Sequence, residues 1–359
     1  MAKNNLLFLR RLHGRLYEWR IAKQNQFHYW KNLTFPLGTK VYVIGTPEHS
    51  NIGDSAIVLA ELAFLEKCGF KKSQIKEITR NEYILYSKLI KKSISTKHLL
   101  CWHGGGNMGN QWINEEYFRR NAMHDFKENP MIIFPQTIFY TDTEFGELEK
   151  KKSIDSYNGN QKLTIVAREK KSFDFMHQLY PNTEIILTPD IVLSSNLGMY
   201  GIEIEKKTDV LLCLRNDAER QLSDADGVKL QKILEKYVGN IKKTDMHLNI
   251  AVTKKNRREC VRMKMKEFMS AKLVVTDRLH GMVFAAITGT PCIVFSNYNQ
   301  KVSGTYEWIK TLPYIKYVQS IGEMEKVLDE LLEIDEAVYD NSNWIDKFYL
   351  LEKSVKRYV

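Results

Sequence analysis

Short apolar runs alternate with polar, helix-like segments along most of the chain. Continuous apolar runs of this kind between helices are typical of strands buried in a parallel sheet. Almost every run ends in a polar or glycine-rich cluster. We therefore predict an α/β fold of two Rossmann-like domains, whose strand ends face each other across a central cleft. The runs cover residues 40–45, 98–102, 131–134, 163–166, 184–187, 209–214, 273–275 and 292–295.

The stretch at 272–295 carries the clearest of these units. It reads as a strand, a polar turn at 276–281, an apolar helix and a second strand, which together make a βαβ unit. Ligands of open α/β sheets bind in the crevice at the carboxyl ends of the strands. The turn places Asp277, Arg278 and His280 there, where the free N–H groups of the following helix favour an anion. We predict a functional site at this turn.

A polar segment at 144–162 divides the chain into two halves. We predict a basic helical arm at 1–39, a first Rossmann-like domain at 40–160, a second at 161–315 and a helical tail at 316–359. A chain of 359 residues is long enough for two domains of ordinary size, each with its own core.

The composition is that of an ordinary globular protein, with 27% charged and 43% hydrophobic residues. No apolar run approaches the roughly 18 residues of a membrane span, and the first residues lack the basic-then-apolar order of a secretory signal. The five cysteines are scattered, without a Cys-x-x-Cys pair. These features predict a cytoplasmic protein without disulfides or a metal site.

The net charge of +10 is partly concentrated in the arm. Leu6, Leu9, Leu12, Leu16 and Trp19 recur there at about helical spacing, among many basic residues. Such a helix either lies on an anionic surface, here the inner face of the membrane, or packs on the body of the protein with its charges solvated. A nucleic-acid partner is not predicted, because no recognition motif accompanies the charge.

Six short motifs follow one another along the chain: Asn51-Ile-Gly-Asp54, Trp102-His-Gly-Gly-Gly-Asn107, Phe134-Pro-Gln136, Ala167-Arg-Glu169, Thr188-Pro-Asp190 and Thr276-Asp-Arg-Leu-His-Gly281. They occur in the order seen in the polysaccharide pyruvyl transferases, a family that the chain resembles over about 40–305. The resemblance implies a fold similar to that of two-domain GT-B glycosyltransferases, with the acceptor on the first domain and the donor on the second. Characterised members transfer pyruvate from phosphoenolpyruvate to a sugar as a cyclic ketal.

The resemblance implies that the chain pyruvylates a sugar of an exopolysaccharide or another cell-envelope glycan, free or lipid-linked. Phosphoenolpyruvate would be the co-substrate, and neither a cofactor nor a metal would be required. Two alternatives remain at the level of sequence. One is a GT-B glycosyltransferase that uses a nucleotide sugar, and the other is a non-catalytic, glycan-binding member of the family.

The donor chemistry requires permanent cations and a proton carrier. Arginine suits a carboxylate or a phosphate through its bidentate fork, and histidine titrates near neutral pH. The resemblance implies that the segment Arg278-Leu279-His280-Gly281 contacts phosphoenolpyruvate, with His280 as the catalytic acid. The alternative is that Arg278 pairs with Asp277 and that His280 caps the helix.

Two further arginines follow predicted strands of the second half. The resemblance makes Arg168 a donor-binding residue, and the alternative is an ion pair with the adjacent Glu169. Arg215, which ends another strand, is a further candidate for the donor site.

The acceptor side is predicted from the first half. Asp54 either faces the sugar or orients a catalytic group, or it is the N-cap of the helix that begins there and stops at Gly69. Trp102 and Trp112 either stack on a sugar face or belong to the core. The remaining acceptor-binding candidates are Asn51, Gly104, Gly105, Gly106, Asn107, Gln136 and Asp190.

Overall fold

The computed structural model describes residues 35–36, 38–202, 209–215, 222–237, 240–296, 300–335 and 337–359. The predicted basic helix and its membrane contact therefore lie outside the described residues. Within the described ranges, none of the helices is long and apolar enough to cross a membrane.

The strands of the first sheet are β1 (Val41–Thr46), β2 (Ile75–Thr79), β3 (Leu99–Trp102), β4 (Gly105–Gly109), β5 (Met131–Phe139), β6 (Leu163–Ala167) and β7 (Glu184–Leu187). All seven are parallel, and they lie in the order β2-β1-β3-β5-β6-β7, with β4 paired to β5. Four of them (β1, β3, β5 and β6) are almost entirely buried, as expected of a sheet with helices on both faces.

The strands of the second sheet are β8 (Asp209–Cys213), β9 (Ile241–Thr244), β10 (Ala271–Thr276), β11 (Cys292–Phe295) and β12 (Ile315–Val318). They are parallel and lie in the order β12-β11-β10-β8-β9. The two parallel sheets confirm the predicted α/β class. Among these strands the sequence pattern missed β9 and β12, because lysines interrupt their apolar residues.

The helices cover the faces of both sheets, and the helix predicted from Asn51 to Cys68 forms at 52–67. They are α1 (Ile52–Lys67), α2 (Arg80–Ser93), α3 (Ile113–His124), α4 (Glu144–Asn158), α5 (Lys170–Leu179), α6 (Leu197–Tyr200), α7 (Asp224–Leu234), α8 (Arg257–Met269), α9 (Leu279–Ile287), α10 (Lys301–Ile309), α11 (Ile321–Leu332), α12 (Ser342–Ile345) and α13 (Tyr349–Lys356). Short 3₁₀ turns occur at 72–74, 191–194 and 346–348.

Strands β6 and β7 belong to the first sheet, because β6 pairs with β5 and β7 pairs with β6. The boundary predicted at 160/161 therefore lies within that sheet rather than between the two sheets. The polar segment before it is the crossover helix α4, which docks through buried polar contacts instead of an apolar stripe. The Glu149 carboxylate accepts from Arg120 Nη2 at 2.6 Å, and Tyr157 is fully buried.

The tail returns to the first half instead of ending beside the second sheet. The Phe348 ring lies 6.0 Å from the Phe64 ring of α1, and Arg357 pairs with Glu184 of β7 at 3.2 Å. The chain therefore crosses between the halves twice, which fixes their relative position from both sides.

Hydrogen bonds and ion pairs join the two halves at one side of the cleft. Ile52 N donates to Met246 O at 2.8 Å, so the start of α1 is tied to the loop after β9. On the same side Arg257 of α8 donates to Glu77 Oε1 at 2.8 Å and to Pro47 O at 3.0 Å. Burial by itself would raise the pKa of Glu77, but the charges of Arg257 and Lys254 lower it below its usual value. The halves are thus held together by a carboxylate that stays ionised.

Candidate active site

A cleft of about 370 Å³ lies between the carboxyl ends of the two sheets. Both halves contribute to its walls, and most of the contributing residues are polar or charged. The lining residues are Gly45, Pro47, His49, Asn51, Asp54, His103, Gly106, Asn107, Trp112, Glu115, Arg168, Arg215, Met246, His247, Arg278, Leu279, His280 and Lys301.

Hydrogen bonds of Thr276 fix the turn after β10, and helix α9 begins at the wall of the cleft. Thr276 Oγ1 donates to Cys213 O of the neighbouring strand at 2.7 Å and accepts from Arg278 N at 3.0 Å. A Cβ on Gly281 would lie 2.4 Å from that same Oγ1. Gly281 therefore allows the close turn, and in the structure it supports the donor candidates Arg278 and Leu279 rather than lining the cleft.

The His280 imidazole is held between the two halves and its side chain is 11% exposed. Its Nε2 lies 3.6 Å from Asp190 Oδ2, and within the described residues it makes no hydrogen bond. On the other side the ring packs against the start of α1, where a Cβ on Gly53 would lie 2.3 Å from His280 Nδ1. The ring is therefore fixed in place while it still lines the cleft.

Arg168 and Asp190 form a buried ion pair behind His280. Arg168 Nη1 donates to Asp190 Oδ2 at 2.8 Å, and Arg168 Nε donates to Thr137 Oγ1 at 2.8 Å. Burial by itself would raise the pKa of Asp190, but the neighbouring His280 and Arg168 charges lower it well below its usual range. Asp190 is thus an ionised carboxylate between the Arg168 guanidinium and the His280 imidazole.

This arrangement changes two expectations from the sequence. Asp190 is 1% exposed, so it positions Arg168 and His280 from behind the wall instead of contacting an acceptor. Glu169 Oε2 is 4.0 Å from Arg168 Nε and accepts from Thr137 Oγ1 instead. The adjacent carboxylate is therefore the weaker partner of Arg168. Arg168 itself lies at the end of β6, so it reaches the cleft from the first sheet.

Two other arginines reach the cleft from the second sheet. Arg278 pairs with Asp245 at 2.7 Å and not with the adjacent Asp277. Asp277 Oδ1 instead accepts from the backbone N of Arg215 at 2.8 Å, and burial raises the pKa of Asp277 to about 6. The two guanidinium groups therefore line one cavity with Arg168.

Asp54 lines the cleft near the start of α1, but it is not the N-cap. Asn51 has that role, because its Oδ1 accepts from Gly53 N at 3.0 Å. Asn51 Nδ2 donates to Asp54 Oδ2 at 2.9 Å, and His49 Nε2 lies 3.5 Å from the same oxygen. The carboxylate is thus oriented by two polar side chains of the cleft wall.

The glycine-rich segment after β3 divides between lining and supporting roles. Gly106 and Asn107 line the cleft. Gly104 N donates to the fully buried Glu61 at 2.7 Å, and Gly105 has φ +120°, a conformation that favours glycine. Gln136 is completely buried, and its Nε2 donates to His103 O at 3.0 Å. Gly104, Gly105 and Gln136 therefore shape the wall and lie behind it.

The two tryptophans have different environments. Trp102 is 1% exposed and belongs to the core of the first sheet, with its indole N–H directed at Met131 Sδ, 3.4 Å away. Trp112 is 52% exposed and lines the cleft. Of the two, only Trp112 presents a face that a sugar ring could stack on.

Several lining residues were not identified from the sequence as site residues. Lys301 begins α10, after a strand end, and that position was the signal that could have identified it. His49 follows the end of β1 in the same way. Met246 and His247 follow β9, which the sequence pattern missed, and Glu115 lies on α3. Their places in the cleft depend on how the two halves meet.

Residues 51–299 match the family described as polysaccharide pyruvyl transferase. General stress protein 30 of Bacillus subtilis is 35% identical over 303 residues, which cover 82% of this chain and 86% of that protein. Pyruvyl transferase 1 of Schizosaccharomyces pombe is 30% identical over 336 residues, covering 87% of this chain and 80% of that protein.

Solved structures share the fold at low sequence identity. The UDP-GlcNAc 2-epimerase of Methanocaldococcus jannaschii superposes with a TM-score of 0.51 at 12% identity, covering 88% of this chain and 99% of that chain. A Klebsiella pneumoniae protein superposes with a TM-score of 0.56 at 19% identity, covering 82% and 98% respectively. These likenesses concern the fold alone and confirm the GT-B-like, two-sheet architecture.

Proposed function

The chain belongs to the polysaccharide pyruvyl transferase family, and from this premise we propose that it transfers the pyruvyl group of phosphoenolpyruvate to a pair of sugar hydroxyls as a cyclic ketal. One observation carries the proposal. The His280 imidazole lies against the buried Arg168–Asp190 pair, in a cleft that Arg215 and Arg278 also line. A proton carrier and several permanent cations are what an enol phosphate requires.

The donor would lie between the halves, where the cations converge. Phosphoenolpyruvate carries a carboxylate and a phosphate, and guanidinium groups bind both through charge-assisted hydrogen bonds. Arg168 comes from the first sheet, while Arg215 and Arg278 come from the second. A donor held by all three would therefore depend on the joined halves and not on the second half alone.

His280 would act as the general acid. It gives its proton to the methylene carbon of the enol, which becomes the methyl group, and the central carbon becomes electrophilic. The Asp190 carboxylate, 3.6 Å from His280 Nε2, would hold the imidazole in position for this transfer. A sugar hydroxyl then forms a C–O bond to the central carbon and releases its proton to a base, for which Asp54 is a candidate carboxylate on the first-half wall of the cleft.

The second half of the reaction closes the ketal. The C–O bond to phosphate breaks, and the leaving phosphate takes the electron pair with its bridging oxygen. A second hydroxyl of the same sugar attacks the central carbon, and its proton leaves with the phosphate. Two C–O bonds to the sugar are formed, so no oxidant, reductant or further co-reactant is needed.

The acceptor would lie along the first-half wall. Asn51, Asn107 and Asp54 offer hydrogen-bonding groups there, and Trp112 offers an exposed ring face. Stacking on an aromatic face together with hydrogen bonds to amides and carboxylates fits a sugar with free hydroxyls. We propose a glycan of the exopolysaccharide or cell-envelope class as acceptor, free or lipid-linked.

Ligand protection tests the proposed function directly. Phosphoenolpyruvate at about 100 times its Kd is expected to stabilise the protein by about 2.7 kcal/mol, whereas UDP-GlcNAc is expected to leave the melting temperature unchanged. Arg278→Ala removes a charge-assisted contact, so phosphoenolpyruvate should bind about ten- to a hundredfold more weakly. The measurements are thermal unfolding and calorimetric titration.

The matched control for Arg278 is Arg262→Ala, which removes a partly exposed arginine paired with Glu259 on the same helix. This variant should bind phosphoenolpyruvate as the native protein does. Protection by UDP-GlcNAc without protection by phosphoenolpyruvate would instead support a nucleotide-sugar enzyme and reject the proposal.

The packing of Gly53 against His280 gives a further prediction. Gly53→Ala would place a methyl group 2.3 Å from the present position of His280 Nδ1, so the imidazole must move. Small displacements of a reacting group cost about 10²-fold in rate, and turnover should fall by that order. Gly322→Ala is the control, because the nearest atom to its Cβ would be 4.0 Å away. Equal turnover of the two variants would show that the ring position is not critical.

A further inference from the structure

Two cations from opposite halves meet at Gly106 on the cleft wall. A Cβ placed on Gly106 would lie 2.7 Å from Arg168 Nη2 and 3.1 Å from Lys301 Cε. Arg168 comes from the end of β6, and Lys301 is the first residue of α10. The absence of a side chain at Gly106 is therefore what lets both cations approach the same point of the wall.

The other nitrogens of Arg168 are already engaged. Nε donates to Thr137 and Nη1 donates to Asp190, both at 2.8 Å. Nη2 is the nitrogen beside Gly106, and Arg168 lines the cleft. The guanidinium is thus held rigidly by its inner side and presents its outer nitrogen to a ligand.

Lys301 is 7% exposed, an unusual position for a lysine. Its Nζ donates to the neutral amide oxygen of Gln111 at 3.2 Å, so this contact leaves the positive charge of the ammonium in place. Burial raises the pKa of the neighbouring Glu169, and the charge of Lys301 is one of those that oppose this rise. Lys301 also lines the cleft, so its positive charge lies on the wall beside Gly106 and Arg168.

Helix α10 is fixed directly over Arg168. The Trp308 indole donates to Arg168 O at 2.8 Å, and a Cβ on Gly304 would lie 2.6 Å from Glu169 Cβ. The close packing sets the distance between Lys301 and Arg168 before any ligand arrives. The amino end of α10 adds its partial positive charge at the same place.

We propose that Gly106, Arg168 Nη2 and Lys301 form the phosphate subsite of the donor, an inference that rests on the proposed function. Gly106 lines the cleft, and the two cations from opposite halves lie beside it. In this arrangement Arg278, which is held by Asp245, binds the carboxylate end. As the C–O bond breaks, the charge that develops on the leaving phosphate is stabilised by Lys301 and Arg168. No covalent bond to either residue forms.

Lys301→Met tests the subsite, because it removes the charge and keeps much of the side-chain length. We expect phosphoenolpyruvate to bind this variant about ten- to a hundredfold more weakly. Inorganic phosphate, titrated as a competitor of phosphoenolpyruvate, should lose affinity by a similar factor. Lys310→Met is the matched control, since Lys310 is an exposed lysine just after the same helix that pairs with Glu307. Its affinities should equal those of the native protein.

Two more variants separate a charge effect from a purely structural one. Gln111→Ala breaks the contact with Lys301 but keeps the ammonium, and Lys301→Arg restores a cation. Phosphoenolpyruvate should bind Gln111→Ala within about threefold of the native protein, and Lys301→Arg should recover most of the lost affinity. Equal losses of phosphoenolpyruvate affinity in Gln111→Ala and Lys301→Met would show that Lys301 acts only through its structural contact with Gln111. That result would overturn the subsite.

The remaining outcomes are also distinct. Loss of phosphoenolpyruvate affinity without loss of phosphate affinity in Lys301→Met would place the lysine at the carboxylate end and reject the assignment. Native affinity for both ligands would reject any role for Lys301 in binding. A native protein that does not bind phosphoenolpyruvate at all would reject the proposed function itself.

Discussion

Replacing His280 by glutamine is expected to lower turnover by about 10²–10⁴-fold, the usual contribution of a general acid. Glutamine is close in size and keeps some hydrogen-bonding capacity, but it cannot deliver a proton to the enol methylene. The affinity for phosphoenolpyruvate should change little, since the cations that bind the donor remain. His280 is the group for which this is expected, because its Nε2 lies 3.6 Å from the Asp190 carboxylate and its ring lines the cleft.

The measurement is the rate of phosphate release with a sugar acceptor, together with the Kd of phosphoenolpyruvate by calorimetry. His124→Gln provides a control, because His124 is an exposed residue at the end of α3. Turnover of the His280 variant within a few-fold of the native rate would make His280 a structural residue. The proton would then have to come from another group or from water.

Removing the guanidinium of Arg168 is expected to impair both donor binding and stability. Arg168→Ala takes away the outer nitrogen at the cleft wall and leaves the Asp190 carboxylate, 1% exposed, without its shortest ion pair. Breaking a buried ion pair from one side typically lowers the free energy of unfolding by about 3–5 kcal/mol. The affinity for phosphoenolpyruvate should fall by about ten- to a hundredfold as well.

A second variant separates these two effects. Arg168→Met combined with Asp190→Asn removes both charges, so it should recover part of the lost stability but none of the lost donor affinity. Urea unfolding measures the first quantity and calorimetric titration the second. Normal donor binding by a folded Arg168 variant would exclude this arginine from the donor site.

Local patterns in the sequence determined the fold class and much of the candidate site. Apolar runs separated by helical segments imply parallel strands, because each such run must be buried on both faces. The helix at 52–67 follows from its polar start at Asn51-Ile-Gly-Asp54 and from Gly69 as a stop, although its N-cap is Asn51 and not Asp54. Strand ends of parallel sheets lie on one edge, so Arg278 and Arg215 were expected in one cleft, and the structure places them there.

The partners of the charged residues depended on the tertiary structure. Arg168 pairs with Asp190 rather than with the adjacent Glu169, and Arg278 pairs with Asp245 rather than with Asp277. Neighbouring residues in extended backbone project to opposite sides, and both Glu169 and Arg278 have extended dihedral angles. Side chains that are adjacent in sequence therefore point away from each other here. The ion-pair partners of Arg168 and Arg278 come instead from segments that are distant in the sequence.

The sequence by itself thus determined most of the buried strands and which of their ends carry chemistry, because those properties follow from the period of apolar residues and from local caps. The tertiary structure alone decided which polar residues face the cleft. Gln136 and Asp190 are buried behind the wall, whereas Lys301 reaches it from a helix of the other half. It also decided that β6 belongs to the first sheet, since strand pairing is set by contacts between segments and not by position along the chain.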